Sequence, residues 1–328
     1  MTFSFDNVYV GERATVTGPY EKRGPLGNYF DKSYTDLYNG EKSFEKAEVK
    51  LSLESIEILK KKIKKDNFDI LIGGDLLNQI TATCYAARDI HTPFLGIYGA
   101  CSTSMEGIII ASSLIDSKKV NDAVVTVSSH NMASEKQFRN PTEYGAPKPN
   151  TATFTATGGA SIYLTNKKTK IKVDKGTIGK VNDMDQKDPM NMGAVMAIAA
   201  ADTIKQHLDD TKRDLDYYDL ILTGDLGTYG KQILREAMMT YFNLELGDNY
   251  DDCGVLLYDL ENQKEVKAGG SGPVCNALVN YSYIMKEMEK GTYKKVLLVA
   301  TGALFSPTFS YLKMPILSIA HAVSLEVI

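Results

Sequence analysis

A cysteine within a short turn of small residues is the side chain in this sequence most suited to chemistry. Residues 99–106 (Gly-Ala-Cys-Ser-Thr-Ser-Met-Glu) follow an apolar run at 93–98 and precede an apolar-periodic run at 108–115. This order predicts a strand, a turn and a helix, and it places Cys101 at the helix N-terminus. Unpaired N–H groups and the helix dipole stabilise a thiolate or a bound anion there. A small buried cysteine that caps a tight turn would give the same pattern, so both interpretations stay open.

Histidines are the other side chains that could move protons or contact a ligand. His130 follows the apolar run at 123–128 and would emerge at the end of a buried strand, as a pocket residue or as a satisfied buried imidazole. His321 lies within an apolar strand pattern, where the same two interpretations apply. His91 and His207 are predicted to be solvated and inert, on a loop and on the polar face of a helix.

The composition limits the classes of protein to which the chain can belong. At 328 residues it is too long for one ordinary core and suits two domains. A net charge of −4 and a pI near 5.7 give no reason to expect nucleic acid as a partner. The four cysteines lack metal-ligand spacing and indicate a reducing compartment, and four histidines are too few for a His-rich metal site, so we expect no metal. We also expect no cofactor. No apolar run approaches the ~18–20 residues that span a bilayer, and no signal pattern is present, which predicts a soluble protein.

Helical and strand patterns alternate around the turn that carries Cys101. They predict helices over residues 43–65 and 82–88 and from the turn to about 119, and strands over 68–72, 94–98, 123–128 and 155–164. Such alternation is typical of a parallel sheet with helices on its faces. Ligands of these sheets bind beyond the carboxyl ends of the strands, where the Cys101 turn and His130 would emerge. Residues 135–155 interrupt the pattern and predict a long ordered loop.

The second half of the chain repeats the first. Residues 218–226 (Tyr-Asp-Leu-Ile-Leu-Thr-Gly-Asp-Leu) repeat 68–76 (Phe-Asp-Ile-Leu-Ile-Gly-Gly-Asp-Leu), and the turn at 272–275 aligns with the turn at 99–102. We therefore predict two duplicated α/β halves, residues 1–166 and 167–328. Val274 stands where the first half has Cys101, so one half supplies a thiol and the other would have to supply its partners.

A duplicated α/β half with a cysteine at this turn resembles the thiolase superfamily, which includes the ketoacyl synthases. The resemblance implies an α-β-α-β-α layered fold, often dimeric, in which second-half histidines, or a histidine and an asparagine, assist an acylated cysteine. Here the sequence departs from the enzymes. Asp225 follows the strand after which a ketoacyl synthase has a histidine, and the glycine-rich turn at 268–272 lacks the histidine that a thiolase has in the corresponding turn. An acyl-transferring enzyme that uses Cys101 with His321 or His130 stays the alternative to a binding protein.

A closer resemblance is to the stage V sporulation protein AD family. It is carried by residues 24–27 with 29–32, 74–79, 99–106, 128–131, 137–139 with 141–145, and 199–208. The resemblance implies a non-enzymatic protein that binds dipicolinic acid, alone or as its calcium chelate, and supports its uptake into the developing spore and its release in germination. It further implies membrane-protein partners from the same sporulation operon and a peripheral location at the spore inner membrane, with a homodimer left open.

Dipicolinate is a flat pyridine with two carboxylates, so its receptor needs cations or N–H donors and an apolar slot. The Cys101 turn offers one anion site. Candidate cations are Lys22, Arg23, Arg88 and Arg139, and the neutral candidates are Asn78, Ser102, His130 and His321. Among the cations we favour Lys22 and Arg139, because each lies in an irregular loop that carries the resemblance, although either could be a surface charge. Asp75 and Asp225 are predicted to cap turns.

Overall fold

The computed structural model describes residues 1–138 and 147–328 of the chain. The strands in these ranges are β1 (Thr2–Ser4), β2 (Tyr9–Thr17), β3 (Lys32–Ser33), β4 (Ile70–Gly74), β5 (Phe94–Gly96), β6 (Asp122–Ser129), β7 (Phe154–Thr155), β8 (Gly158–Thr165), β9 (Ile171–Ile178), β10 (Leu220–Thr223), β11 (Tyr250–Asp252), β12 (Gly270–Ser271), β13 (Lys295–Leu304) and β14 (Leu317–Val327). The α-helices are α1 (Pro19–Arg23), α2 (Phe44–Ile63), α3 (Thr81–Ile90), α4 (Thr103–Asp116), α5 (Asn131–Phe138), α6 (Met192–Thr211), α7 (Gly227–Phe242), α8 (Cys253–Leu256), α9 (Pro273–Val279), α10 (Met285–Lys290) and α11 (Pro307–Tyr311).

One large sheet runs through both halves of the chain. Its main path is β11-β10-β13-β14-β9-β2-β8-β6-β4-β5, with β1 on β9 and β3 on β2, while β7 and β12 form a separate parallel pair. The first half contributes β5-β4-β6-β8-β2 and the second half contributes β11-β10-β13-β14-β9, in the same order. The two sets meet where β2 and β9 pair antiparallel. This repeated order confirms the prediction of two duplicated α/β halves.

Helices lie in three layers around these strands. Helix α4 packs against β4 and β6 of the first half and also against β13 and β14 of the second, and α9 packs beside it. Helices α2 and α3 cover the outer face of the first half, whereas α6 and α7 cover that of the second. The predicted α-β-α-β-α layering is therefore present. The central helix α4 is apolar on most of its surface because it is buried between the two halves of the main sheet.

Helix α2 shows how local sequence sets this packing. It begins after Ser43, whose side chain accepts a hydrogen bond from the N–H of Lys46. Its buried stripe includes Leu51 and packs on β8. A Cβ at Gly159 in β8 would collide with the carbonyl oxygen of Leu51, so the glycine permits the helix to approach the strand closely.

His207 corrects one of the sequence predictions. It was expected on a solvated face of its helix, but its side chain is fully buried. The imidazole hydrogen-bonds with the Thr177 hydroxyl at 2.7 Å and with the Tyr218 hydroxyl at 2.6 Å, and burial lowers its pKa to about 4. The reason is helical spacing, since Ala200, Ile204 and His207 continue one buried stripe of α6. His91, in contrast, is exposed as predicted.

No helix in the described ranges combines the length and apolarity that a membrane span requires. The same ranges contain no cluster of three or more side chains suited to hold a metal ion.

Candidate ligand-binding site around Cys101

The turn that carries Cys101 is held in one conformation by its own hydroxyl groups. A short 3-10 turn over Ala100–Ser102 links β5 to α4, and Ala100 has a left-handed φ of 51°. The Thr103 hydroxyl donates to the Ala100 carbonyl at 2.7 Å and accepts from the Gly99 N–H at 3.0 Å. Such strained non-glycine residues concentrate at functional sites, because the surrounding structure must hold them in place. The turn therefore holds the Cys101 thiol in a defined position.

The second half supplies the groups that contact this thiol. Asp225, two residues beyond the end of β10, hydrogen-bonds with the Cys101 thiol. The same carboxyl accepts from the Thr301 hydroxyl at 2.6 Å and from the Gly272 N–H at 3.1 Å. Three separate segments of the second half therefore meet at one side chain beside the cysteine.

An asparagine joins the two turns directly. The Asn276 side chain in α9 donates to the Cys101 carbonyl oxygen at 3.1 Å, and it accepts from the Ser104 hydroxyl at 2.5 Å. Because α9 and α4 are the corresponding helices of the two halves, this amide fixes the position of one half's turn against the other's.

Burial dominates the electrostatics of this group. Burial raises the pKa of Asp225 to about 7, although hydrogen bonds from Thr301 and Cys101 oppose the shift, and the nearby Asp252 raises it further. Burial likewise raises the pKa of Asp252 to about 6. A carboxylate at position 225 would disfavour a thiolate at Cys101, so the contact suits a neutral thiol that donates a hydrogen bond.

A cavity of about 60 Å³ opens over Cys101 and Asp225. A water needs ~10–15 Å³ of such space, so the cavity has room for a small ligand. Its walls are apolar, and its polar surface consists of hydroxyl groups beside the thiol and the carboxyl. The apolar lining includes Leu76, Phe138, Pro189, Met192, Met196, Ala303 and Phe305, and the hydroxyl lining includes Tyr98, Ser134, Thr153, Thr155 and Ser271. None of the lining residues within the described ranges is a lysine, arginine or histidine.

Ser134 is the most informative of these hydroxyls. The residue is only 3% exposed, and its Oγ has no hydrogen-bond partner within the described ranges. A buried hydroxyl without a partner costs free energy, and in this position it can donate to a molecule that enters the cavity.

An outer groove leads from the protein surface to this cavity. It has a volume of about 470 Å³ and shares Leu76, Tyr98, Phe138 and Phe305 with the inner cavity. The rings of Phe138 and Phe305 meet edge to face with their centres 5.9 Å apart. Access to Cys101 therefore passes these aromatic rings.

The neutral candidates from the sequence lie at several places. Ser102 is buried beside Cys101, but its hydroxyl donates to the Gly99 carbonyl at 2.7 Å, and Asn78 is exposed in the outer groove. The His130 Nε2 contacts the Leu37 carbonyl oxygen at 2.8 Å, and burial lowers the pKa of its imidazole. The His321 Nδ1 accepts from the Gly179 N–H at 3.3 Å, and burial lowers its pKa to about 4. Neither histidine lines the cavity.

The predicted cations do not line the cavity either, as far as the structure describes them. Lys22 is exposed and donates to the Gly27 carbonyl oxygen at 2.9 Å. Arg23 pairs with Glu265 at 3.2 Å, and Arg88 pairs with its neighbour Asp89 at 2.7 Å. Arg139 lies outside the described residues, and it directly follows Phe138 in the sequence.

Sequence reasoning missed Asp225, Thr301, Asn276 and Ser134 as site residues. One signal for Asp225 was present, because it occupies the strand end after which the resembled enzymes carry a histidine. No comparable signal distinguished Ser134.

Comparison with known proteins agrees with this architecture. The family model of stage V sporulation protein AD matches residues 1–326. The chain belongs to the stage V sporulation protein AD family. A curated member, Stage V sporulation protein AD of Bacillus subtilis (strain 168), is 45% identical over 328 residues, which cover 99% of this chain and 96% of that protein. Membership of this family gives the chain a role in sporulation.

Solved structures of two enzymes share the fold of this family member. A variant of OleA from Xanthomonas campestris superimposes with a TM-score of 0.60 at 12% identity, covering 99% of both chains. The 3-oxoacyl-(acyl-carrier-protein) synthase III of Aquifex aeolicus gives 0.59 at 11% identity, covering 97% of this chain and 99% of that one. At such identities the likeness shows the fold alone, and it confirms the thiolase-like prediction.

Proposed function

We propose that this sporulation protein binds dipicolinate without chemical turnover in the cavity over Cys101, supporting uptake of dipicolinate into the developing spore and its release in germination. The observation that carries the proposal is the buried Ser134 hydroxyl, which lies in the cavity wall and has no hydrogen-bond partner within the described ranges. A planar ring suits a slot lined by Phe138, Met196 and Phe305, and its carboxylates can accept from Ser134 and from the Cys101 thiol.

The charge of the ligand is the main physical demand on this site. Because the described lining carries no cation, a dianion needs either protonation of Asp225 or a cation from outside that lining. We propose Arg139 for the second role, since it follows the cavity-lining Phe138 directly in the sequence. Lys22, Arg23 and Arg88, which have other partners, are assigned no contact with the ligand in this proposal.

Calorimetric titration with dipicolinate tests the proposal, with isophthalate as a control that lacks the ring nitrogen. We expect saturable binding to the wild-type protein and about tenfold weaker binding to Ser134→Ala, the loss that accompanies one hydrogen bond of about 1.4 kcal/mol. The variant should be no less stable than the wild type, because the deleted hydroxyl has no partner among the residues that the structure describes. A larger change, Ala303→Leu, should fill the cavity and abolish binding there.

Ser112→Ala is the matched control for this experiment. Its hydroxyl is also fully buried and has no partner in the described part of the chain, but it does not line the cavity. The control should leave dipicolinate binding unchanged. Equal affinities for wild type, Ser134→Ala and Ala303→Leu would rule out the cavity as the binding site. A second titration series with calcium present would distinguish binding of the free acid from binding of its calcium chelate.

Acyl transfer through Cys101 is the second candidate, and the thiol's contact with Asp225 is the observation that favours it. A carboxylate there could accept the thiol proton. This candidate predicts a mass increase on Cys101 after incubation with an acyl-CoA. Our proposal predicts an unmodified protein, and a stoichiometric adduct lost in Asp225→Asn would contradict it.

We further propose a homodimer and a peripheral location at the spore inner membrane, through membrane proteins of the same operon. For the dimer, β5 is a free edge of the main sheet, and Leu95 and Tyr98 beside it are 40% and 46% exposed. A free edge can pair with the same edge of a second copy. Sedimentation velocity should then show a dimer for the wild type and a monomer for Leu95→Lys, and a wild-type monomer at all concentrations would refute the pairing.

A further inference from the structure

A groove of about 600 Å³ lies beside the first turn of α7, and it is distinct from the cavity over Cys101 and from the outer groove that leads to it. Its apolar surface comes from Tyr229, Ile233 and Leu260, and its cations are Lys264 and Lys267. Tyr229 is 45% exposed. This volume falls in the usual range of small-molecule sites.

The two lysines give this groove a local positive charge in a chain that is acidic overall. Within the described ranges they are the only charged residues in its lining, and neither makes an ion pair there. Lys264 donates to the Leu260 carbonyl oxygen at 3.5 Å, and its charge, after hydrogen bonds from Asn262 and Glu261, helps to lower the pKa of Asp259. Neighbouring cations, in contrast, are neutralised: Lys231 pairs with Asp251 at 2.6 Å, and Arg23 pairs with Glu265.

The backbone of Lys267 is strained. Its φ of 61° and ψ of −113° belong to a region that glycine adopts and that strains other residues. Its neighbours fix this conformation, because the Ala268 N–H donates to the Ala152 carbonyl at 3.0 Å and the Thr228 hydroxyl donates to the Ala268 carbonyl at 2.8 Å. A lysine thus occupies a position where glycine would be more stable, and its side chain lines a groove.

We propose that this groove is a second ligand site, specific for small planar dianions such as aromatic dicarboxylates. The ring of the ligand would lie on Tyr229, Ile233 and Leu260, and its two charged groups would reach Lys264 and Lys267. The proposal shares the ligand class of the proposed function but uses other residues. Two lysines can neutralise the charge of such a ligand in this groove, whereas the described lining of the Cys101 cavity contains no cationic side chain.

Lys267→Gly is the variant that separates a binding role from a structural one. Glycine relieves the backbone strain, so the melting temperature should stay equal or rise. The affinity for dipicolinate at this site should nevertheless fall about tenfold in calorimetry at low salt, and Lys264→Ala should reduce it similarly. Because the lysines are exposed, 0.5 M salt should weaken the same phase in the wild type.

Lys212→Gly is the matched control. Lys212 is an exposed lysine at the end of α6 with a left-handed φ of 55° and ψ of 41°, so this change removes the same charge and also relaxes a positive φ. It should leave dipicolinate binding unchanged. A loss of affinity equal to that of Lys267→Gly would mean that net charge alone is responsible, and it would overturn the proposal.

Combination with Ala303→Leu distinguishes this inference from the proposed function. Two binding phases, one removed by Lys267→Gly and the other by Ala303→Leu, would support both sites. Binding abolished by Ala303→Leu and unaffected by Lys267→Gly would overturn the groove and leave the Cys101 cavity. The reverse result would support the groove and overturn the cavity, and a wild-type protein that gives no heat with dipicolinate would overturn both.

Discussion

Replacement of Glu21 by alanine is expected to lower the free energy of unfolding by roughly 3–5 kcal/mol. The Glu21 side chain is fully buried, and its Oε1 accepts the Thr157 N–H at 3.0 Å and a short hydrogen bond from the Tyr258 hydroxyl. Alanine would leave both donors buried and unsatisfied. Because Tyr258 belongs to the second half, the variant would also loosen the contact between α1 and that half.

Glu21→Gln separates the hydrogen bonds from the charge in this experiment. Burial raises the pKa of Glu21, so an uncharged amide resembles the carboxyl more closely than it would at the surface. The amide oxygen can keep the Thr157 and Tyr258 bonds, and we expect Glu21→Gln to lose much less stability than Glu21→Ala in urea denaturation. Glu265→Ala, at an exposed ion pair, should stay within about 0.5 kcal/mol of the wild type. A loss below about 1 kcal/mol for Glu21→Ala would contradict a stabilising role of the hydrogen bonds from Thr157 and Tyr258 to Glu21.

Glu21 also shows why the cations in its segment could not be placed from the sequence. Helix α1 has a single buried residue, Glu21, while Lys22 and Arg23 face solvent. A five-residue helix gives no periodicity from which to infer a buried face. The sequence pattern predicts an irregular loop at Lys22, whereas the structure has the short helix α1 there, and the Glu21 carboxyl is buried against Tyr258, more than two hundred residues away.

The fold was predictable because the sequence patterns that specify its strands and turns are local and occur twice in the chain. Residues 68–76 and 218–226 each carry a buried strand and its following turn, and the structure places both as β4 and β10 at equivalent positions of the sheet. The Cys101 turn was predictable for the same reason, since small residues between a strand and a helix pattern specify its geometry. Two matched copies of one pattern make a chance explanation improbable.

The partners of Cys101 were not predictable, because they meet only after the two halves have packed. Asp225 does accept a backbone N–H, from Gly272, as a turn cap would. Its contact with the thiol depends on the placement of α4 between the two sheet halves, which no local pattern encodes. Ser134 was even less predictable, because no feature of the sequence distinguishes this serine from the others in the chain.

The contribution of Asp225 to stability is expected to depend strongly on pH. Burial raises its pKa from an ordinary value near 3.8 to about 7, so the folded protein holds this proton more tightly than the unfolded chain. Its contribution is therefore fully present below pH ~4 and is lost as pH rises to about 7. The three-unit shift corresponds to roughly 4 kcal/mol. Burial of Asp252, with a pKa of about 6, acts in the same direction.

Histidines oppose this trend, so the measurement must compare variants rather than follow the wild type alone. Burial lowers the pKa of His207 and of His321 from 6.5 to about 4, which makes stability rise with pH over that interval. Subtracting the pH profile of the free energy of unfolding of Asp225→Asn from that of the wild type removes the contribution of the histidines, which both proteins share. We expect the stability advantage of the wild type, measured by urea denaturation, to shrink by several kcal/mol between pH 4 and pH 8. The profile of Asp185→Asn, at a side chain 82% exposed, should parallel the wild type. A difference between wild type and Asp225→Asn that stays constant with pH would show that the buried carboxyl beside Cys101 does not bind its proton more tightly on folding.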